Sequence, residues 1–250
     1  MPHYILLHET SSTNTYLKRM ASLLPSGTVI HTPCQTAGRG QKGNSWESEP
    51  GKNLSFSFLL KNPQLAANKQ FFISEACALA VLDMLSNQAD GFSIKWPNDI
   101  YHGDDKICGI LIENSLVGKN IGYSVIGVGI NINQRTFVSD APNPISLANI
   151  TDRDYDLHEL LHDVCQRLEQ LCDFSQATPQ SLAEMHNRFM SHVYRNDGKM
   201  YTWELPDGTR FEAKIAGIAP DGLLTLCSPD GNCTAFAFKE VKHVIKNTTL

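Results

Sequence analysis

The chain carries no excess of basic charge. Its 21 Lys and Arg are outnumbered by 26 Asp and Glu, giving a formal net charge of −5 over 250 residues. The broad electropositive footprint of a nucleic-acid-binding protein is therefore missing. No stretch approaches the roughly 20 consecutive apolar residues of a membrane-spanning helix. Met1-Pro2-His3-Tyr4 has no basic run ahead of a long apolar one, so no secretory signal is expected. The seven cysteines are odd in number and include no C-x-x-C pair. Free thiols in a reducing cytoplasm are expected. No G-x-x-x-x-G-K-[ST] occurs, which excludes a P-loop. What remains is ordinary for a folded protein: 42% apolar and 19% charged residues, enough for one large unit or a large one with a small one.

Tyr4 to His8 reads as a strand. Ser11, Ser12 and Thr13 are good helix caps, and Tyr16, Leu17, Met20, Leu23 and Leu24 follow at helical spacing. Pro25-Ser26-Gly27 stops that helix. Strands are expected over 27–32 and 54–60, a buried Ala- and Leu-rich helix over 71–85, and strands over 92–96, 106–113 and 121–132, the last two as one hairpin. Leu157, Leu160, Leu161, Val164, Leu168 and Leu171 make one stripe of an amphipathic helix, and 181–194 reads as another. The texture then changes. Pro-Asp-Gly occurs at Pro206, Pro220 and Pro229, each a turn signal, and short β-prone runs lie between. They describe a small antiparallel unit of about five strands, most simply an SH3-like barrel. The boundary falls near Tyr194–Gly198, giving units of 1–194 and 195–250.

Between Cys34 and Asn53 lies a loop with four glycines and hardly an aliphatic side chain. Gly38-Arg39-Gly40-Gln41-Lys42-Gly43-Asn44-Ser45-Trp46 permits close backbone approach to a ligand and offers N–H groups and two cations to an anion. A solvated linker is the alternative reading. It spells G-x-G-x-x-G but opens no helix, so it is not a dinucleotide fingerprint. Lys95-Trp96-Pro97-Asn98-Asp99 suggests a rigid turn that presents Asp99 to a cleft, or an Asx turn capping backbone amides. Lys106 opens an apolar strand, either as its wet end or as a clamp for a carboxylate or phosphate. Gly127 and Gly129 interrupt another strand, which suits a ligand lying against its face; Asn131 could bond that ligand or end the strand. His158-Glu159-Leu160-Leu161-His162 matches the H-E-x-x-H zinc-protease signature, with Glu184 as an available third ligand. Both histidines fall on the polar flank of the Leu stripe, so a solvated face is expected instead.

Taken in order, Ser12-Thr13-Asn14, Gln35, the Gly-Arg-Gly loop with Trp46, Lys95-Trp96-Pro97-Asn98-Asp99, Lys106-x-x-Gly109-Ile-Leu-Ile-Glu113 and Gly127-x-Gly-Ile-Asn131 resemble the biotin–protein ligase family over nearly the whole chain. The resemblance implies an α/β (α+β) fold: a mixed sheet with flanking helices, lying on one side, in a catalytic domain, plus the SH3-like domain. It implies a cytoplasmic ligase that activates biotin with ATP and Mg²⁺ as biotinyl-5′-AMP, then transfers it to a lysine of a biotin carboxyl carrier protein. No metal ligands on the protein are expected; Mg²⁺ would come with ATP. Lys106, Arg39 and Asp99 would be catalytic. Ser12, Thr13, Asn14, Gln35, Arg39, Gly40, Gln41, Gly109 and Lys106 would bind biotin, and Arg39, Lys42, Trp46 and Asn131 would bind ATP. With the first catalytic strand at Tyr4, no DNA-binding domain and no DNA partner are expected; a homodimer is compatible. Gln41 and Asn44 stand where the family often has Arg. Lipoate–protein ligase, of the same fold, and a non-catalytic biotin-sensing binder are the competing readings.

Overall fold

A computed structural model describes residues 2–41, 44–139 and 143–245. The chain opens with β1 (His3–Leu6), α1 (Thr13–Met20) and β2 (Thr28–His31). Ser12 is the cap of α1: its backbone is extended and its side chain accepts from the Thr15 N–H. Because a helix carries the chain between them, β1 and β2 pair in parallel. Next come β3 (Leu54–Lys61), α2 (Phe71–Ser86), β4 (Phe92–Lys95), β5 (Asp99–His102), β6 (Asp105–Val117) and β7 (Asn120–Ile130). All seven strands form one mixed sheet of order β1-β2-β3-β7-β6-β5-β4. Three helices follow: α3 (Leu147–Thr151), α4 (Leu157–Leu171) and α5 (Pro179–Ser191).

Side chains alternate across a strand, and here the two faces do different work. Phe56 and Phe58 of β3 and Ile126, Val128 and Ile130 of β7 bury against α2 and α4 in the main core. Ile30, Leu59 and Val125, on the opposite face, pack with Leu17 and Ala21 of α1 in a smaller one. The helices therefore lie on both faces, not on one as the resemblance implied. The short α1, caught between two adjacent parallel strands, takes the face that α2 and α4 leave free. Further along that face, β6 and β7 pair Gly109 with Gly129 and Leu111 with Gly127, so part of the sheet there carries no side chains.

The C-terminal strands β8 (Tyr201–Glu204), β9 (Arg210–Ile218), β10 (Leu224–Cys227), β11 (Cys233–Phe236) and β12 (Lys242–His243) form an antiparallel sheet of order β11-β10-β9-β8-β12. Its buried residues join the main core. At the second Pro-Asp-Gly turn, Gly222 has a φ of +93°, and a Cβ there would lie 2.8 Å from the Phe71 ring. The Gly222 carbonyl accepts from Trp96 Nε1 at 2.9 Å.

One expectation is overturned here. Cys227 and Cys233 form a disulfide, leaving Cys34, Cys77, Cys108, Cys165 and Cys172 free. The two flank the Pro229-Asp230-Gly231 turn and face each other in the β10–β11 ladder, with Cα atoms 4.1 Å apart. Such opposition puts two thiols within bonding reach. No helix among the described residues is long and apolar enough to cross a membrane.

Candidate active site

A cleft of about 690 Å³ opens on the face of the sheet that carries α1. Its floor is shaped by what glycine leaves out. A Cβ on Gly127 would stand 2.2 Å from Asn14 Oδ1, and one on Gly129 would stand 2.5 Å from the Trp46 indole. On this floor a row of polar groups is already organised. Ser57 Oγ, fully buried on β3, donates to Thr13 Oγ1 at 2.8 Å or to Asn14 Oδ1 at 2.5 Å. Thr13 donates through its N–H to Gln35 Oε1 at 3.0 Å. Asn14 Nδ2 donates to the Leu111 carbonyl and to Glu113 Oε2, both at 3.2 Å.

The glycine loop is a hairpin laid over this floor. Gly40 N–H donates to Asn44 O at 2.9 Å and Trp46 N–H to Gly38 O at 3.0 Å. A Cβ on Gly38 would lie 2.4 Å from Trp46 O, so the crossing requires glycine. Trp46 is laid across Gly109 and Gly129, and its buried Nε1 has no hydrogen-bond partner among the described residues. Arg39 reaches back to Glu113 Oε2 at 3.2 Å, while Lys18 Nζ holds Oε1 at 2.9 Å. Burial pushes the Glu113 carboxyl up, but Lys18, Arg39 and the Asn14 bond outweigh it and hold the carboxyl below its usual range. Lys42 lies outside the described residues.

Lys95-Trp96-Pro97-Asn98-Asp99 makes the tight connection from β4 to β5, with a cis Trp96–Pro97 bond and Lys95 paired opposite Asp99. Asn98 is tied to Ile110 through side chain and backbone. That fixes Asp99, whose Oδ1 stands 2.8 Å from Lys106 Nζ. The ammonium also lies over the Trp46 ring, 5.6 Å from its centroid. Across the cleft, Asn131 Nδ2 donates to Ile145 O at 3.0 Å, and its buried Oδ1 has no partner among the described residues.

The model of the biotin/lipoate A/B protein ligase family matches residues 6–131. The chain belongs to that family. Among its curated relatives, the bifunctional ligase/repressor BirA of Bacillus subtilis is 33% identical over 138 residues, 54% of this chain and 42% of that protein. The chain thus spans less than half of the first relatives it matches. The biotin–[acetyl-CoA-carboxylase] ligase of Mycobacterium tuberculosis is 29% identical over 220 residues, 85% of this chain and 77% of the relative. Among solved structures, the biotin protein ligase from Aquifex aeolicus in complex with biotin and ATP superposes with a TM-score of 0.78 at 25% identity, covering 98% of this chain and all of that one.

Within this ligase fold, Ser12, Thr13, Asn14, Gln35, Arg39, Gly40, Gln41, Trp46, Asp99, Lys106, Gly109 and Asn131, the expected site residues that are described, all line the one cleft. Several contributors went unforeseen. Ser57, which supports Thr13 and Asn14 from beneath, is one; with Ser55 it interrupts the apolar run of Leu54–Leu60, and that was its only signal. From the C-terminal strands, Trp203, Lys242 and His243 line the cleft, as does Phe238 from the connection between β11 and β12. His243 stacks on Trp203 with centroids 3.7 Å apart. Burial, with Lys95 and Arg195 adding to it, pushes its pKa down to about 2, so the imidazole is neutral.

The H-E-x-x-H segment lies elsewhere, on α4. The His158 and His162 rings are 4.5 Å apart. His158 is exposed, but His162 is half-buried against Tyr4, at 4.3 Å between centroids, rather than fully solvated. Edge strand β1 covers that flank of the helix, which the helical wheel alone does not reveal. Among the described residues, no three His, Cys, Asp or Glu are placed to hold a metal together.

Proposed function

We propose that the chain is an ATP-dependent biotin–protein ligase: it joins biotin to AMP, then transfers biotin to a lysine of a biotin carboxyl carrier domain. The observation that carries this reading is the convergence, in one cleft, of a side-chain-free sheet floor, a fixed row of ureido-scale hydrogen-bonding groups and the Lys106–Asp99 pair. Residues 1–194 would hold both substrates, and residues 195–250 would close the cleft's far end with Trp203, Phe238 and His243.

Two anions must meet for the first step. The biotin carboxylate attacks the α-phosphorus of ATP, forming the acyl phosphate bond as the bond to pyrophosphate breaks. Lys106, oriented by Asp99, would hold the carboxylate and phosphate oxygens, and Arg39 would leave Glu113 to add a second cation. Thr13, Asn14 and Gln35, with Ser57 bracing the first two from beneath, fit a ring that both donates and accepts. Asn131 Oδ1, an acceptor with no donor among the described residues, fits the adenine amine, with Trp46 as the apolar wall between the two ligands. Mg²⁺ would enter as the counter-ion of the ATP phosphates: Asp99, the carboxylate beside them, is already engaged by Lys106. In the second step, the uncharged lysine amine of the carrier attacks the acyl carbon, AMP leaves, and the amine loses a proton.

Exchange of labelled pyrophosphate into ATP tests the first step, run with biotin and with lipoate. Biotin-dependent exchange is expected. Exchange with lipoate alone would move the chain to the lipoate branch of the family, and biotin binding without exchange would make it a sensor.

A further inference from the structure

Glu47 follows Trp46 at the end of the glycine hairpin, and its carboxylate collects donors from a different loop. Oε1 accepts from Gln134 Nε2 at 2.9 Å and from the Val138 N–H at 3.0 Å; Oε2 accepts from the Ser139 N–H at 2.8 Å. Beneath it, Gln134 is only 2% exposed. Its Oε1 accepts from Asn53 Nδ2 at 2.6 Å and from the Glu49 N–H at 2.9 Å. Asn53 Oδ1 in turn accepts from the Ile132 N–H at 2.9 Å.

The segment after Trp46 and the segment after Asn131 are thus joined largely through side chains. At the outer end, one carboxylate is the acceptor for two consecutive amides of an irregular loop. Such charge-assisted bonds are short and strong for their number. Burial pushes the Glu47 carboxyl up, but the bonds from Ser139, Val138 and Gln134 outweigh it and favour the ionised form. Phe137, Val138 and Ser139 line the cleft wall, and Val138 is 87% exposed. Within its own loop, Gln134 Nε2 also donates to the Thr136 carbonyl at 2.9 Å, while the described hydrogen bonds that hold the Val138 and Ser139 amides come from Glu47.

We propose that Glu47 is a positioning residue that couples the hairpin carrying Arg39 and Trp46 to the Phe137–Ser139 wall. When the hairpin closes on a carboxylate ligand, the wall is set in place for the nucleotide. The order of ligands rests on the adenylation reading; the staple itself does not. The coupling path runs from Trp46 through Glu47 to two backbone amides, is reciprocal as any linkage is, and needs no contact between the wall and the first ligand.

Hydrogen–deuterium exchange on the full chain tests it, comparing wild type with Glu47→Gln, which turns one acceptor into a donor facing donors. Without ligand, the 138–139 amides should exchange at least about tenfold faster in the variant. Biotin alone should slow exchange over 35–46 in both proteins, but over 134–139 only in wild type. In steady state the KM for ATP should rise several-fold while biotin affinity holds. Ser139→Pro, which deletes one donor from the other loop, should reproduce the loss of coupling. Equal biotin-induced protection of 134–139 in both proteins would overturn the proposal. So would a fall in biotin affinity that tracks thermal stability, the mark of a merely structural role. If biotin protects nothing in wild type, the biotin reading fails, and the ligand-free comparison still decides the staple.

Discussion

Asp99 and Lys106 form an ion pair at 2.8 Å with both side chains partly withdrawn from solvent, 20% and 31% exposed. Neither is held by its neighbours in sequence alone. Asp99 is aimed by the Pro97–Asn98 turn, and Lys106 is held by the ladder of β6, where its backbone also pairs with Asn143 and Ile145. The pair makes a cation of fixed direction at the meeting point of the two proposed anions.

Lys106→Ala should therefore lower the rate of adenylate formation by about 10²-fold or more, the usual cost of removing a donor aimed at developing charge. The backbone bonds of residue 106 are untouched, so the melting temperature should hold. A stability loss with intact activity would mark the lysine as structural.

Gly127→Ala places a methyl 2.2 Å from Asn14 Oδ1. Asn14 must shift, and with it the bonds to Ser57 and Glu113. Biotin binding should be lost or strongly weakened, with an overpacking cost of about 1–3 kcal/mol. Isothermal titration and a denaturant curve read the two effects separately.

The Arg39–Glu113 link should depend on pH. Glu113 is held below its usual range, so the folded protein binds its proton less tightly than the unfolded chain. The stabilisation is present above the ordinary glutamate pKa of about 4.3 and is lost as pH falls through the lowered value. Acid should release the hairpin, followed by Trp46 fluorescence in a Trp96→Phe, Trp203→Phe background. In Glu113→Gln this step should vanish.

Gln41 lines the cleft but brings no charge. Gln41→Arg should slow release of biotinyl-5′-AMP several-fold, since a guanidinium bonds phosphate more strongly than an amide. Rapid dilution of the preloaded complex measures the off-rate; an unchanged value would place residue 41 away from the phosphate.

His158→Ala with His162→Ala should leave pyrophosphate exchange within about threefold, because both side chains are remote from the cleft. A small stability loss from the Tyr4–His162 contact is expected. Stoichiometric zinc, lost in the double variant, would instead support a metal site.

The cleft residues that could be read from the sequence share one property: their chemistry is concentrated in short runs. Gly38–Trp46, Lys95–Asp99 and Gly127–Asn131 each place unusual residue types side by side. Ser57, Glu47, Glu113 as an Arg39 partner, and His243 act through contacts 40 to more than 100 positions apart, and no local pattern encodes these. The same holds for the fold. The long helices fall where the sequence puts them, α4 by the spacing of its Leu stripe and α2 by a continuous Ala- and Leu-rich run. The four-residue β5 is masked by the Pro-Asn-Asp turn that starts it, and the five-residue α3 is too short to show a period. The Cys227–Cys233 disulfide had a signal, two cysteines flanking a turn, but spacing alone does not say which residues of a hairpin oppose.

The glycines under the cleft make its tuning one-directional. At positions 109, 127 and 129 every substitution adds atoms and none removes them, so the floor can be raised but never lowered. Variation that widens what the cleft accepts must therefore come from its movable edges: the hairpin above it, the 134–139 wall beside it, and the C-terminal strands at its end. A selection for new acids or nucleotides would be expected to leave the three glycines alone and collect its changes in those edges.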